Sequence, residues 1–328
     1  MSEDPAPEVN MPKSRPPTWK ILVDGLPVPA ALFGFGVYLW RSTGAVFYLF
    51  NFGYIALSIL AGGLVWELAP RARKHWGRRM ILLLIGGYMV GYLGVAQREN
   101  MQLEGFWLYL LSGLFAGSVI HYLAAKVAGP LLFGRGWCGW MCWTVAVLDF
   151  LPWRRSPGRL PGRWGYLRHG HFLVSLGVVV AAWFVLGYRI DLADRAAELW
   201  WLVAGNLLYW GAAVALAARL KDNRAFCKYL CPIPVLMKLP ARFALMKVEG
   251  DRSRCDACGA CDRVCPMDVQ VSRYVAEGIR VGSTECVLCN ACQNACPREA
   301  LKTSTRPDAG GPDYLRERPG SGRPPAPV

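Results

Sequence analysis

Eight cysteines near one end of the chain are spaced for iron–sulfur chemistry. They read Cys255-x2-Cys258-x2-Cys261-x3-Cys265-Pro266 and Cys286-x2-Cys289-x2-Cys292-x3-Cys296-Pro297. Three thiolates so close in sequence wrap one face of a cubane, and the fourth reaches across to the other cluster. Cluster one is therefore expected on Cys255, Cys258, Cys261 and Cys296, and cluster two on Cys265, Cys286, Cys289 and Cys292. Small residues between them (Ala257, Gly259, Ala260, Ala291, Ala295) leave room for the inorganic core. Zinc sites usually separate their CxxC pairs further, and disulfides do not suit a reducing cytoplasm. Two [4Fe–4S] clusters are the expected cofactors.

The remaining four of the 12 cysteines form two matched pairs, Cys138-x3-Cys142 and Cys227-x3-Cys231. Each pair follows an apolar block and a basic residue, so the two look like an internal parallel repeat. Residues at i and i+4 of a helix share a face about 6 Å apart. Three readings stay open: a shared third metal centre, redox-active dithiols, or small buried hydrophobes. His121 sits inside an apolar block, where an ionisable residue is a functional hypothesis by default. It is a candidate for binding quinone or haem, the haem needing a second histidine such as His171; an ordinary hydrogen-bonded histidine is the competing reading. Asn51, Asn206 and Asp149 are further polar groups for a quinone pocket. No CxxCH haem attachment, strand-flanked GxGxxG or P-loop occurs, which argues against direct NAD, FAD or ATP chemistry. No catalytic residue is singled out, and electron wiring is what remains.

Those cysteines must be positioned by membrane helices. Of 328 residues 54% are hydrophobic and 18% charged, a membrane composition. A span needs about 20 apolar residues. Residues 45–66, 80–96, 106–125 and 199–218 qualify; 172–188 is a fifth, and 21–40 a weaker sixth or an interfacial segment. The run 137–151 lies between two basic markers and reads as re-entrant. The fold class expected is an α-helical membrane protein of five to six transmembrane helices, followed by a small α+β two-cluster bacterial-ferredoxin-like domain. Its parts are a polar segment (1–20), the membrane domain (21–244), the ferredoxin-like domain (245–303) with a short hairpin between its motifs, and a disordered tail (304–328). No cleavable signal peptide is read at the start. The net charge of +14 comes largely from Lys and Arg beside apolar blocks, which favours topology signals over nucleic-acid binding. Arginine-rich and arginine-poor loops alternate, placing everything from Arg219 onward in the cytoplasm of a bacterial inner membrane. The expected partners are the lipid bilayer and a redox protein or complex.

The stretch Gly134-Arg135-Gly136-Trp137-Cys138-Gly139-Trp140-Met141-Cys142, with Cys227-Lys228-Tyr229-Leu230-Cys231-Pro232 and the tandem cluster motifs, resembles the NapH/NosR/CcoG group of membrane polyferredoxins. The resemblance runs from about residue 100 to residue 300. It implies two cytoplasmic [4Fe–4S] clusters and a role in quinol oxidation, in electron supply to periplasmic reductases, or in maturation of a respiratory metalloenzyme, including its copper site. Trp143 stands where the group carries a proline after the first pair. With neither a flavin-binding domain before the spans nor a further domain after the clusters, the smaller NapH-like form is expected.

Overall fold

The computed structural model describes residues 25–115 and 117–318. In hydrocarbon the backbone must satisfy its own hydrogen bonds, so the apolar blocks fold as helices. Helix α1 (Pro27–Thr43) forms a hairpin with α2 (Val46–Leu68), whose Phe52 packs on Gly36. Next come α3 (Arg71–Ala96), α4 (Leu103–Leu111), α5 (Gly117–Phe133), α6 (Gly136–Leu148), α7 (Trp164–Phe184) and α8 (Ala196–Leu220). Helices α2, α3, α7 and α8 are long and apolar enough to cross a membrane. The pair α5 and α6, bent by 101°, makes a fifth if it counts as one broken span. Helix α1, with 17 residues, is shorter, and residues 21–24 of the expected sixth segment lie outside the described ones.

The span expected at 106–125 is not one helix. Helix α4 ends at a turn through Gly113, which takes a left-handed φ of 67°, and α5 restarts at Gly117. The Ser118 amide donates to Glu99 at 2.6 Å, so the segment between them enters and leaves at one level. Between those points it plunges: Tyr209, in the middle of α8, donates to Glu104 at 3.4 Å. Helix α4 is thus a re-entrant half-helix beginning at depth. The bend between α5 and α6 agrees with the re-entrant reading of 137–151.

After α8 come the short helices α9 (Ala225–Tyr229) and α10 (Ile233–Ala241). Strand β1 (Met246–Gly250) then pairs antiparallel with β2 (Leu301–Thr305), Met246 opposite Thr305 and Gly250 opposite Leu301. The cysteine motifs lie between these strands and carry α11 (Ala260–Val264) and α13 (Ala291–Ala295). The hairpin expected between the motifs is absent; α12 (Val271–Ala276) occupies that place. Residues 306–318, expected disordered, are strapped to the surface. Asp308 pairs with Lys247 and Arg280, Arg316 with Asp268 at 2.8 Å, and Arg318 donates to the Leu220 carbonyl. Residues 319–328 lie outside the described ones.

The arginines read as topology markers have a second role. Arg78, Arg79 and Arg224 converge on Asp149. Arg135, Arg159, Arg168 and Lys238 converge on Glu285, which is 1% exposed. Together with Arg71, which pairs with Glu299, the Glu285 contacts clamp the cysteine-rich region onto the basic end of the helices.

Candidate redox centres: three cysteine-lined cavities

The 12 cysteines sort into three cavities of four. Cys255, Cys258, Cys261 and Cys296 line one. Cys265, Cys286, Cys289 and Cys292 line a second. Cys138, Cys142, Cys227 and Cys231 line a third, larger than either. Among the described residues no three His, Cys, Asp or Glu side chains close on single-ion geometry. The thiols stand around cavities instead of meeting at a point, which suits clusters better than zinc or a lone copper ion.

Thiol electrostatics point the same way. Burial pushes the Cys261 and Cys265 thiols up to about 12 and Cys286 and Cys227 up to about 11. Such thiols remain protonated at neutral pH unless a metal takes the proton's place, and metal coordination deprotonates a thiol outright. The wall of the large cavity adds Lys126, Arg135 and Arg224, all buried. Lys126, set on a π-helical turn, lies 4.5 Å over the Trp137 ring and has no carboxylate partner among the described residues. Four cations share one carboxylate at Glu285 and three share one at Asp149. A buried excess of positive charge is costly unless anions answer it. Thiolate-ligated clusters carry that negative charge, so the residues present fit them.

The repeat seen in the sequence is built in three dimensions. Cys138 is the third residue of the short helical turn Gly136–Trp140, and Cys227 the third of α9. Arg135 and Arg224 precede these turns and reach the two buried carboxylates. The second cysteines lie outside the turns, Cys142 capping Trp143–Leu148 and Cys231 just beyond α9. The expected i, i+4 face on one continuous helix is therefore not formed, because α6 breaks at Met141–Cys142; the break lets all four thiols turn into one cavity.

The large cavity and the Cys286 cavity share two wall residues, Met267 and Val287. Trp140 Nε1 donates to the Leu288 carbonyl at 2.9 Å. A Cβ on Gly139 would lie 2.2 Å from the Val287 carbonyl oxygen, so this approach requires glycine. One layer of side chains separates the two sites. Of the 12 cysteines, Cys258 is the exposed one.

His121 is absent from the cavity wall. Its ring lies 4.8 Å from that of Trp137, with Nε2 buried and unpartnered. His171 Nδ1 is 2.8 Å from the Leu230 carbonyl and its ring stacks on Tyr209, so it is engaged elsewhere than with a haem. Asn51 accepts from Tyr88, and Asp149 is held by its arginines. Asn206 does line the cavity, held by Trp143 at 3.0 Å. Sequence reasoning missed Lys126, Gln102, Glu104, Tyr209, Glu285 and the role of the two arginines. Only the arginine three residues before the first cysteine of each pair left a readable signal.

Two family models match: a 4Fe-4S dicluster domain over residues 247–297, and a 4Fe-4S binding domain over 107–161 and 203–249, the two halves of the repeat. Among curated proteins, the methylamine utilization ferredoxin-type protein MauN of Methylobacillus flagellatus is 29% identical over 59% of this chain and 77% of its own length. The regulatory protein NosR of Pseudomonas aeruginosa is 27% identical over 57% of this chain and 28% of NosR. The ferredoxin-type protein NapH of Haemophilus influenzae is 30% identical over 49% of this chain and 56% of NapH. No solved structure matches the chain.

Proposed function

Because this chain is a NapH/NosR-type membrane polyferredoxin, an iron–sulfur electron-transfer protein, we propose that it relays single electrons between a hydroquinone in the membrane and a cytoplasmic redox protein. The observation that carries this reading is the shared Met267–Val287 wall between the cavity at the helices and the cluster cavity beside it. In this reading Cys255, Cys258, Cys261 and Cys296 hold one [4Fe–4S] cluster, and Cys265, Cys286, Cys289 and Cys292 the other. When bound, these clusters supply one-electron carriers that need no proton. Cys138, Cys142, Cys227 and Cys231 hold a third iron–sulfur centre, and the larger volume of their cavity leaves room beside it for a quinone head. Arg135 and Arg224 stabilise negative charge at the join, and Cys258 marks the face where the soluble partner docks. The basic ends of the helices support a cytoplasmic position for that face, at a bacterial inner membrane.

The test is iron and acid-labile sulfide per chain after anaerobic purification, in wild type and Cys138→Ser, with quinone reoxidation of the dithionite-reduced protein. More than eight irons, falling to eight in the variant, is the expected result; eight in both removes the third centre. Reduced protein that no quinone reoxidises removes the quinone branch. Copper binding that disappears in Cys138→Ser with eight irons retained would favour a role in metalloenzyme maturation instead.

A further inference from the structure

Hydroquinone oxidation releases protons as well as electrons, and the cysteine cavities provide only for electrons. The described residues contain 17 buried side-chain polar atoms without a hydrogen-bond partner. Eight of them fall on Asn100, Gln102, Glu104, Trp107, Tyr109, Ser118, His121 and Glu198, within the re-entrant segment, the start of α5 and the first turn of α8. Buried polar groups in membrane-embedded helices rarely go unsatisfied without a functional reason.

Three of these groups form a ladder along α8. Asn100 lies beside Glu198, whose Oε1 accepts from Tyr188 at 2.9 Å. Gln102 Nε2 lies 3.4 Å from the Leu202 carbonyl, and its side chain closes against Gly205. Glu104 meets Tyr209. Positions 198 to 209 rise about 16 Å along the helix, while residues 100 to 104 can extend about 13 Å. The side chains of Glu104 and Tyr209 make up the difference. At the inner end Gln102 and Tyr209 line the four-cysteine cavity, and Gln102 is 4% exposed with Oε1 unpartnered. At the outer end Glu99 stands buried beside the exposed pair Arg98–Asp194. That mouth lies where α3 ends and α8 begins, opposite the Arg71–Glu299 contact with the cysteine-rich region.

We propose that the re-entrant segment and α8 enclose a proton route from the four-cysteine cavity to the membrane face opposite the cluster region, with Glu104 and Glu198 as its protonatable stations. The inference rests on the hydroquinone reading above. Oxidation breaks two O–H bonds of the hydroquinone, leaving the quinone. Two electrons depart one at a time toward the cluster side, and two protons pass by way of Glu104 and the Asn100–Gln102 seam to Glu198 and out beside Asp194. Reduction runs the same route backward. Electrons and protons then part in opposite directions across the membrane.

The experiment places the cluster-loaded full chain in liposomes that entrap a pH dye. A short-chain ubiquinol is the donor, and ferricyanide outside is the acceptor for molecules whose cluster region faces out. Rates are taken over protein-free vesicles. The expected result is acidification inside, two protons per quinol, and a loss of about tenfold or more in Glu198→Gln and Glu104→Gln, as for removal of a proton-transfer group. Iron content and cluster potentials of the variants stay at wild-type values, and Glu198→Asp recovers part of the rate. Quinol oxidation in wild type with protons released outside, or with both Gln variants unchanged, overturns the route alone. No quinol oxidation in wild type overturns the hydroquinone reading and the route with it.

Discussion

Glu285 shows how much one side chain can organise. Burial alone would raise its carboxyl; Arg135, Arg159, Arg168 and Lys238 overcome that and hold it well below the usual carboxylate range. A carboxylate depressed in the folded state stabilises above its unfolded value, about 4.3 for Glu. That stability is lost only as pH falls through the lower folded value. The clamp between the cluster region and the helices is therefore expected to survive mild acid and release in strong acid, as read by protease sensitivity against pH. Glu285→Gln leaves three buried arginines and the partly exposed Lys238 without their anion and is expected to cost about 3–5 kcal/mol, measurable as a lower denaturation midpoint at neutral pH. A variant as stable as wild type would show that the cations are solvated in the membrane-bound protein.

Among the elements, the contact of α6 with the Val287–Leu288 segment is the narrowest join between membrane and clusters. Gly139→Ala puts a methyl into the Val287 carbonyl and is expected to cost about 1–3 kcal/mol by overpacking. It should also slow electron exchange between the large cavity and the Cys286 set while eight irons remain bound. Stopped-flow reduction with iron analysis on the same sample separates the two effects; unaltered rates would move the route elsewhere. The element the sequence misrepresented most is α4. Residues 106–125 are apolar enough for one span, yet Gly113 and the depth of Glu104 turn them into a half-helix and a return. Hydropathy counts apolar residues and is blind to a reversal that folds its polar side chains against another helix.

At the scale of the molecule, the segment 306–318 runs back across the cluster region to α8. Ending the chain after residue 305 removes Arg316 from Asp268 and Asp308 from Lys247 and Arg280. The expected outcome is a less stable cluster region that loses iron faster to a chelator than the full chain does; equal rates would make the strap dispensable. The cysteine spacing by itself pointed to iron–sulfur chemistry and grouped the eight motif thiols as the two cavities group them, because a cubane demands short local loops whatever surrounds them. Hydropathy by itself determined that helices hold them in a membrane. Tertiary structure alone decided that the two Cys-x3-Cys pairs share one cavity, that the marker arginines are buried counter-charges, and that a polar ladder reaches that cavity from the opposite face. These depend on partners as far apart as Arg135 and Glu285, separated by 150 residues, and no local pattern encodes such a pairing.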